Sequence, residues 1–455
     1  MNTIKIYSPV DGEYLGQTQA MTKDDIDKII EDLKKGYEEF SKSDILYRSE
    51  LLYKCGEAIR ENASTLANIM SKEISKSYKD SLTEILRSVD MIKYTIEEAK
   101  RIEPKTYTGD SYGAFNKVCL SIRQPLGIIL CIAPFNYPIN LSLSKIIPAI
   151  ITGNVVLFKP PTQGSIVCTK LVEILNSILP NNILKLVTGY GREIGDYINT
   201  HKDVAFINFT GSTSVGKKIS NQAGLKGLLM ELGGKDAAIV LQDADLEKAS
   251  TEIVKGAFNY SGQRCTAIKR VLVQKNVKEK LLKLIVEKVE KLKVGNPLDN
   301  ADITPLIDDK SADFVQKLID DAIQKGAKVL IGNKREKNLV YPCVLDNVKK
   351  DMDVYFEEPF GPVLPIIEVE DIKEAIEVAN SSNYGLQSSV FTNDMKKAFD
   401  IAKKLQVGSV HINNKTQRGP DNFPFLGVKD SGIGVQGIHH SLLAMTVLKN
   451  IVFDI

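Results

Sequence analysis

The sequence predicts an α/β protein built on two mainly parallel sheets. From Gly127 onward, short apolar runs alternate with helix-like stretches, and a second alternation begins near Gly233. Parallel strands need crossover helices between them, so this is how a parallel sheet reads in sequence. The chain has 455 residues, 43% hydrophobic and 25% charged, enough for about two or three domains around a large core.

Each element follows from a local signal. Thr22-Lys23-Asp24-Asp25 has the form of a capping box, and Ile26, Ile29, Ile30 and Leu33 follow at helical spacing. One long helical stretch is predicted from Arg48 to about Arg101. Gly109-Asp110-Ser111-Tyr112-Gly113 marks the turn of a hairpin. Strands are predicted at 127–133, 154–159, 184–187 and 204–209, with helices at 143–151 and 165–179. The second set has a strand at 237–241 and helices at 246–258 and 277–292. The β-rich end, 445–455, is an apolar strand with an open edge, a kind of edge that commonly pairs with another chain. Parallel sheets of this type carry their sites at the carboxyl ends of the strands.

Composition excludes several classes. The formal net charge is +2, which gives nucleic acid or an anionic membrane nothing to grip. Residues 1–5 start no signal peptide, and no apolar run approaches the ~20 residues of a membrane span; a cytoplasmic location is expected. The six cysteines, at 55, 119, 131, 168, 265 and 343, form no C-x-x-C pair, so reduced thiols are expected. Four histidines without an H-E-x-x-H motif make no metal centre. Chemistry is left to cysteine, carboxylates, lysine, arginine or a cofactor.

Three glycine patterns resemble phosphate-binding loops. Gly432-Ile433-Gly434-Val435-Gln436-Gly437 matches G-x-G-x-x-G, but too little chain follows it for a βαβ unit. Gly189-Tyr190-Gly191-Arg192-Glu193-Ile194-Gly195 spaces its last glycine one residue too far. Gly211-Ser212-Thr213-Ser214-Val215-Gly216-Lys217 has Lys218 where an NTPase needs Ser or Thr on its metal. What remains of the third is a strand–glycine–helix corner whose N–H groups and Ser212 can meet a phosphate.

The strongest signal is a pair of segments, Glu231-Leu232-Gly233-Gly234-Lys235 and Ser261-Gly262-Gln263-Arg264-Cys265-Thr266. The first sets a carboxylate at a strand–turn junction. The second sets a thiol after a glycine turn beside Arg264, and a neighbouring cation favours the reactive thiolate. The bland alternatives are an ordinary surface carboxylate and an inert core thiol.

With Pro134-Phe135-Asn136-Tyr137-Pro138, Gly153 to Pro160, Phe209-Thr210-Gly211-Ser212-Thr213 and Glu357-Glu358-Pro359-Phe360-Gly361-Pro362, these segments resemble the aldehyde dehydrogenase superfamily nearly end to end and in order. Lys159-Pro160-Pro161-Thr162-Gln163-Gly164, the run Tyr260 to Arg270, and His411 to Gly419 resemble its non-phosphorylating, NADP-dependent glyceraldehyde-3-phosphate branch. The resemblance implies an aldehyde-dehydrogenase-like α/β fold in three parts. These are a Rossmann-type dinucleotide-binding domain (1–105 and 127–232), an α/β catalytic domain (233–411) and a small β oligomerisation arm (106–126 and 436–455) making a homodimer or homotetramer.

The resemblance also implies roles. Cys265 is the nucleophile, Asn136 and the Cys265 N–H hold the oxyanion, and Glu231 activates the water that releases the acid. Lys159 and Glu358 bind ribose, Gly211 and Ser212 the pyrophosphate. Phe360 either positions the nicotinamide or packs in the core. Thr162 either favours NADP over NAD, which is used more weakly, or only caps the next helix. Arg87, Tyr137, Arg264 and Arg418 bind the phosphate of a small phosphorylated aldehyde, or the arginines are solvated or salt-bridged surface groups. The implied reaction converts D-glyceraldehyde 3-phosphate to 3-phosphoglycerate with NADP and water. The alternative is an NAD(P)-dependent dehydrogenase for another small aldehyde.

Overall fold

The computed structural model describes residues 2–455. Among these, one six-stranded sheet runs in the order Gly432–Ile433, Gly227–Glu231, Val204–Thr210, Ile128–Ile132, Val155–Lys159, Leu184–Leu186. Gly432–Ile433 is antiparallel to its neighbour and the remaining pairs are parallel. Ile128–Ile132 and Val155–Lys159 are buried along their length, with the helices Lys23–Phe40 and Asn140–Ile151 packed on them. Strands buried on both faces read as unbroken apolar runs. From Ile128–Ile132 the chain steps to Val155–Lys159 and Leu184–Leu186 on one side, then returns to the other at Val204–Thr210. Such a reversal opens a crevice beyond the carboxyl ends of the strands. Ala133 to Asn136 and Gly211-Ser212 leave the sheet there.

A seven-stranded sheet follows in the order Lys328–Ile331, Cys343–Asp346, Val363–Val369, Arg270–Gln274, Ala237–Val240, Gln387–Phe391, Ser409–Ile412. It is parallel except at Lys328–Ile331. Ala237 and Ile239 face one core and Ala238 and Val240 another, the two-residue alternation of a sheet covered on both sides. The chain passes from the first sheet to the second between Glu231 and Ala237, so residues there reach both.

Lys105–Thr108, Lys117–Pro125 and Thr446–Asp454 make a three-stranded antiparallel extension. Val447, Leu448, Ile451, Val452 and Phe453 are exposed on the last strand, which has one open edge. The preceding helix, Ile438–Ala444, belongs elsewhere: Ile438, Leu442 and Met445 join the core of the first sheet. The extension proper therefore begins at Thr446. The glycines at 432 and 437 serve close backbone approach, since a Cβ on Gly432 would lie 2.5 Å from the Met230 carbonyl oxygen.

The Thr22 capping box is present, with Asp25 N–H on Thr22 Oγ1 at 3.2 Å and Thr22 N–H on Asp25 Oδ2 at 2.9 Å. The single helix expected from 48 to 101 is instead three, Ile45–Glu61, Ala63–Ile74 and Tyr78–Ala99. Ser75 breaks the run in a left-handed conformation, φ 55°, and Ser77 caps the next helix through the Asp80 N–H at 3.1 Å. The break places Lys76 in the interior, 2.5 Å from Glu84. The other oxygen of Glu84 accepts the N–H groups of Ile139 and Asn140 at 3.0 and 2.9 Å. This buried pair pins the long helix to the segment carrying Asn136.

Breaking a buried pair from one side strands a charge in the interior and costs about 3–5 kcal/mol. Glu84→Leu is expected to lose stability on that scale in the first urea transition, whereas Val447→Ser, on the exposed strand, is expected to change it by less than about 0.5 kcal/mol. Similar midpoints for both variants would remove the structural role assigned to the pair.

Candidate active site

The site is assembled where strand ends from the first sheet meet a turn of the second. Tyr260, Ser261 and Gly262 are consecutive left-handed residues, with φ of 53°, 53° and 72°. Such a run is costly for side-chain-bearing residues and persists only where contacts over-determine it. Tyr260 OH donates to the Ile74 carbonyl at 2.9 Å, and Ser261 Oγ donates to the Thr304 carbonyl at 2.9 Å while accepting the Thr304 N–H at 2.8 Å. Gly262 is required, because a Cβ would lie 2.4 Å from the Gly361 carbonyl oxygen. The turn delivers Cys265 to the wall of a cleft of about 720 Å³.

Glu231 ends its strand with a side chain only 2% exposed. The Cys265 thiol donates to Glu231 Oε1 at 3.0 Å. Glu231 Oε2 is paired with Arg418 Nη1, and Arg418 Nη2 donates to Gln436 Oε1 at 2.7 Å. Burial, and then the Glu231 charge and hydrogen bond, hold the Cys265 thiol well above its usual range, against the pull of Lys269 and Arg418. In this arrangement the sulfur keeps its proton and shares it with the carboxylate.

The stabilising cation differs from expectation. Arg264, though next to Cys265 in sequence, donates through Nη2 to the Gly256 carbonyl and is not among the groups that favour the thiolate. Consecutive residues of a tight turn point different ways. Lys269, buried, lies on the Cys265 carbonyl and 3.1 Å from Glu358 Oε1. Glu358 also accepts the Gly234 N–H at 3.1 Å, and a Cβ on Gly233 would lie 2.3 Å from Glu358 Oε2.

Asn136 is buried in the cleft wall that also holds Cys265, one side-chain N–H spent on the Gln263 carbonyl at 2.9 Å; an amide has a second N–H to offer. The Asn136 carbonyl accepts Lys76 Nζ at 3.1 Å, and Lys76 lies 3.5 Å from the centre of the Tyr137 ring.

Cys265, Asn136, Lys159, Gly211, Ser212, Glu358 and Phe360 all line the cleft. Phe360, φ 46°, stands edge-to-face with Phe135 at 5.9 Å in its wall, so its ring is not enclosed in a core. Two helices, Gly191–Thr200 and Thr213–Gln222, begin at the cleft, so the Gly189–Gly195 run, dismissed on spacing alone, belongs to its wall. Burial pulls Lys159 down to about 8. Thr162 lies just beyond the wall residue Pro161. It does not cap the next helix with its side chain: Glu73 takes the Gly164, Ile166 and Val167 N–H groups, each at 2.9 Å. Burial raises Glu73 to about 7 despite those bonds.

On the far side of the thiol the arginines are engaged. Arg87, 43% exposed, donates to both Asp421 oxygens at 3.1 and 2.9 Å and to the Arg418 carbonyl at 3.2 Å. Among the described residues Arg264 Nε and Gln436 Nε2 are buried without a partner. Lys145, buried on Thr210 Oγ1 at 2.7 Å, is pulled down to about 8 by burial, with Glu231 opposing. Lys145, Lys269, Gln436 and the Lys76–Glu84 pair were not singled out from sequence. The one signal available was Lys145 as the lone charge in an apolar helix. Among the described residues no cluster suits a metal ion, and no helix is long and apolar enough to cross a membrane.

Comparison with known proteins agrees with this geometry. The aldehyde dehydrogenase family matches residues 1–451. The NADP-dependent glyceraldehyde-3-phosphate dehydrogenase of Streptococcus equinus is 51% identical over 99% of this chain and 96% of its own. A crystal structure of the enzyme of that name from Bacillus halodurans C-125, complexed with NADP, is 48% identical with a TM-score of 0.99, covering 100% of this chain and 96% of the other. A glyceraldehyde-3-phosphate dehydrogenase from Methanocaldococcus jannaschii, also complexed with NADP, is 35% identical with a TM-score of 0.96 over 99% of both chains. A cleft lined by a thiol that is hydrogen-bonded to a buried carboxylate, on a chain matched almost throughout, places this protein in the aldehyde dehydrogenase family.

Proposed function

We propose that this chain oxidises D-glyceraldehyde 3-phosphate to 3-phosphoglycerate, using NADP and water and no inorganic phosphate. The observation that carries the reading is Cys265 in the wall of the cleft with its thiol on Glu231. The residues present fit NADP. Two helix N-termini suit the pyrophosphate, Glu358 suits ribose hydroxyls, and Lys159 with the uncommitted Thr162 side chain suits a 2′-phosphate.

Glu231 accepts the thiol proton as sulfur bonds to the aldehyde carbon. Asn136 Nδ2 and the Cys265 N–H face the oxygen that becomes negative, where such donors are typically worth about 2.7–4 kcal/mol each. Bound NADP supplies the hydride acceptor. Glu231 passes this first proton to solvent and then takes one from water, whose oxygen adds to the thioester carbon; the C–S bond breaks to release the acid, and Glu231 returns the second proton to the Cys265 thiolate. Arg264, Arg418, Arg87 and Tyr137 serve the substrate phosphate, for which the planar guanidinium fork suits paired, charge-assisted bonds. The unpartnered Arg264 Nε supports this assignment. We further assign the open edge of Thr446–Asp454 to pairing in a homodimer or homotetramer, and the protein to the cytoplasm, where its free thiols stay reduced.

The substrate assignment is tested by kcat/KM for glyceraldehyde 3-phosphate and for unphosphorylated glyceraldehyde. Arg264→Ala is expected to lower the first by at least about tenfold, as loss of a charged hydrogen bond implies, and the second much less. Equal loss on both would return the dehydrogenase for another small aldehyde to first place.

Cys265→Ala is expected to make no NADPH yet still bind the dinucleotide. Glu231→Ala is expected to release about one NADPH per site and then stall. Stalling without any burst would show that Glu231 is needed chiefly before the thioester forms. Thr162→Glu, which sets a carboxylate near a 2′-phosphate, is expected to shift preference toward NAD; unchanged use of NADP would remove Thr162 from cofactor selection.

A further inference from the structure

Arg418 makes two contacts that answer to different needs. Its Nη1 holds Glu231 Oε2, and its Nη2 holds Gln436 Oε1 at 2.7 Å. The guanidinium lies over the Phe425 ring at 4.9 Å and is 17% exposed. Each terminal nitrogen keeps one further N–H, so a phosphoryl group can take a paired grip on this guanidinium, and it then competes for the cation with the partners already held there. Glu231 is the one whose negative charge opposes the incoming dianion. Gln436 has a second stake: its buried Nε2 has no partner among the described residues, a donor beside Arg418 left without an acceptor, which is costly unless a ligand supplies one.

Glu231 needs freedom during the cycle. Before substrate binds, one of its oxygens is on the thiol and the other on Arg418. To take a proton from water it must leave the sulfur, which by then carries the acyl group, and a carboxylate held by a guanidinium through its other oxygen resists that movement.

We propose that Arg418 is a phosphate-operated latch: without a phosphoryl group it clamps Glu231 against Cys265, and the substrate's phosphate draws it away so that Glu231 is free to activate water. This rests on the phosphorylated-aldehyde reading and adds that the phosphate acts on the hydrolytic step as well as on binding. An unphosphorylated aldehyde fills the same site but leaves the latch closed, so its thioester persists.

The experiment separates the phosphate from the aldehyde. The full-length enzyme with NADP is mixed with glyceraldehyde, with and without inorganic phosphite dianion at matched ionic strength. NADPH is followed in rapid mixing and acyl-Cys265 by intact mass after acid quench. The latch predicts a burst of about one NADPH per site and accumulated acyl-enzyme with glyceraldehyde alone. Phosphite should then raise the slow phase about tenfold or more and deplete the acyl-enzyme. In Arg418→Gln the phosphite effect should disappear, and a misfolded variant would be recognised by a missing burst, leaving the wild-type arms to decide. No accumulation with glyceraldehyde, or a slow phase indifferent to phosphite, overturns the latch. If glyceraldehyde 3-phosphate is still strongly preferred, that failure is the latch's alone; if the two aldehydes are used equally, the substrate reading falls with it.

Discussion

Glu231 sits between a thiol that donates to one of its oxygens and a guanidinium that pairs with the other. The three side chains come from stretches far apart in the chain, Cys265 and Glu231 being 34 positions apart and Glu231 and Arg418 187 positions apart. Holding them together costs conformational entropy, and the surrounding structure supplies the constraint. The strand Gly227–Glu231 sets the carboxylate by its register with Val204–Thr210. The left-handed run at 260–262 sets the thiol, and Gln436 sets the guanidinium. A carboxylate this buried needs partners, and here the partners are the nucleophile and a cation.

The same carboxylate separates two environments. The cleft side collects Lys159, Ser212, Glu358 and two helix N-termini, which together suit a long anionic ligand. The other side collects Arg418 and Arg87, each occupied by a carboxylate, and Arg264, next to Cys265 in sequence, has an unpartnered Nε. Within the cleft wall, Lys269 touches both the Cys265 backbone and Glu358. One buried ammonium thus joins the backbone of the nucleophile to Glu358.

Much of this was legible in the sequence, for identifiable reasons. Strands covered on both faces leave unbroken apolar runs, so the parallel sheets could be read, and the helix Leu246–Phe258 was bounded by its own pattern. Cys265 and Glu231 stood out because each lies in a local motif. What escaped is tertiary. Periodicity continues through Ser75, so three helices read as one; the Ser77 to Asp80 cap was a local sign of the break. Arg264 was taken as the thiolate's cation because it is adjacent in sequence, whereas Lys269, four residues on, and Arg418 exert that influence. The capping alternative for Thr162 could not be decided locally, because the capping carboxylate, Glu73, lies about ninety residues away.

The Cys265–Glu231 contact can be measured through the thiol itself. Because the Glu231 charge and hydrogen bond both raise the Cys265 pKa, their removal must lower it. The rate of iodoacetamide alkylation of Cys265 as a function of pH, in the wild type and in Glu231→Gln, reads that shift directly. The contact predicts that the midpoint moves to lower pH in Glu231→Gln and that alkylation at pH 7 becomes faster. An unmoved midpoint, or slower alkylation at every pH, would mean that Glu231 does not hold the thiol protonated, and the site described here would lose its central interaction.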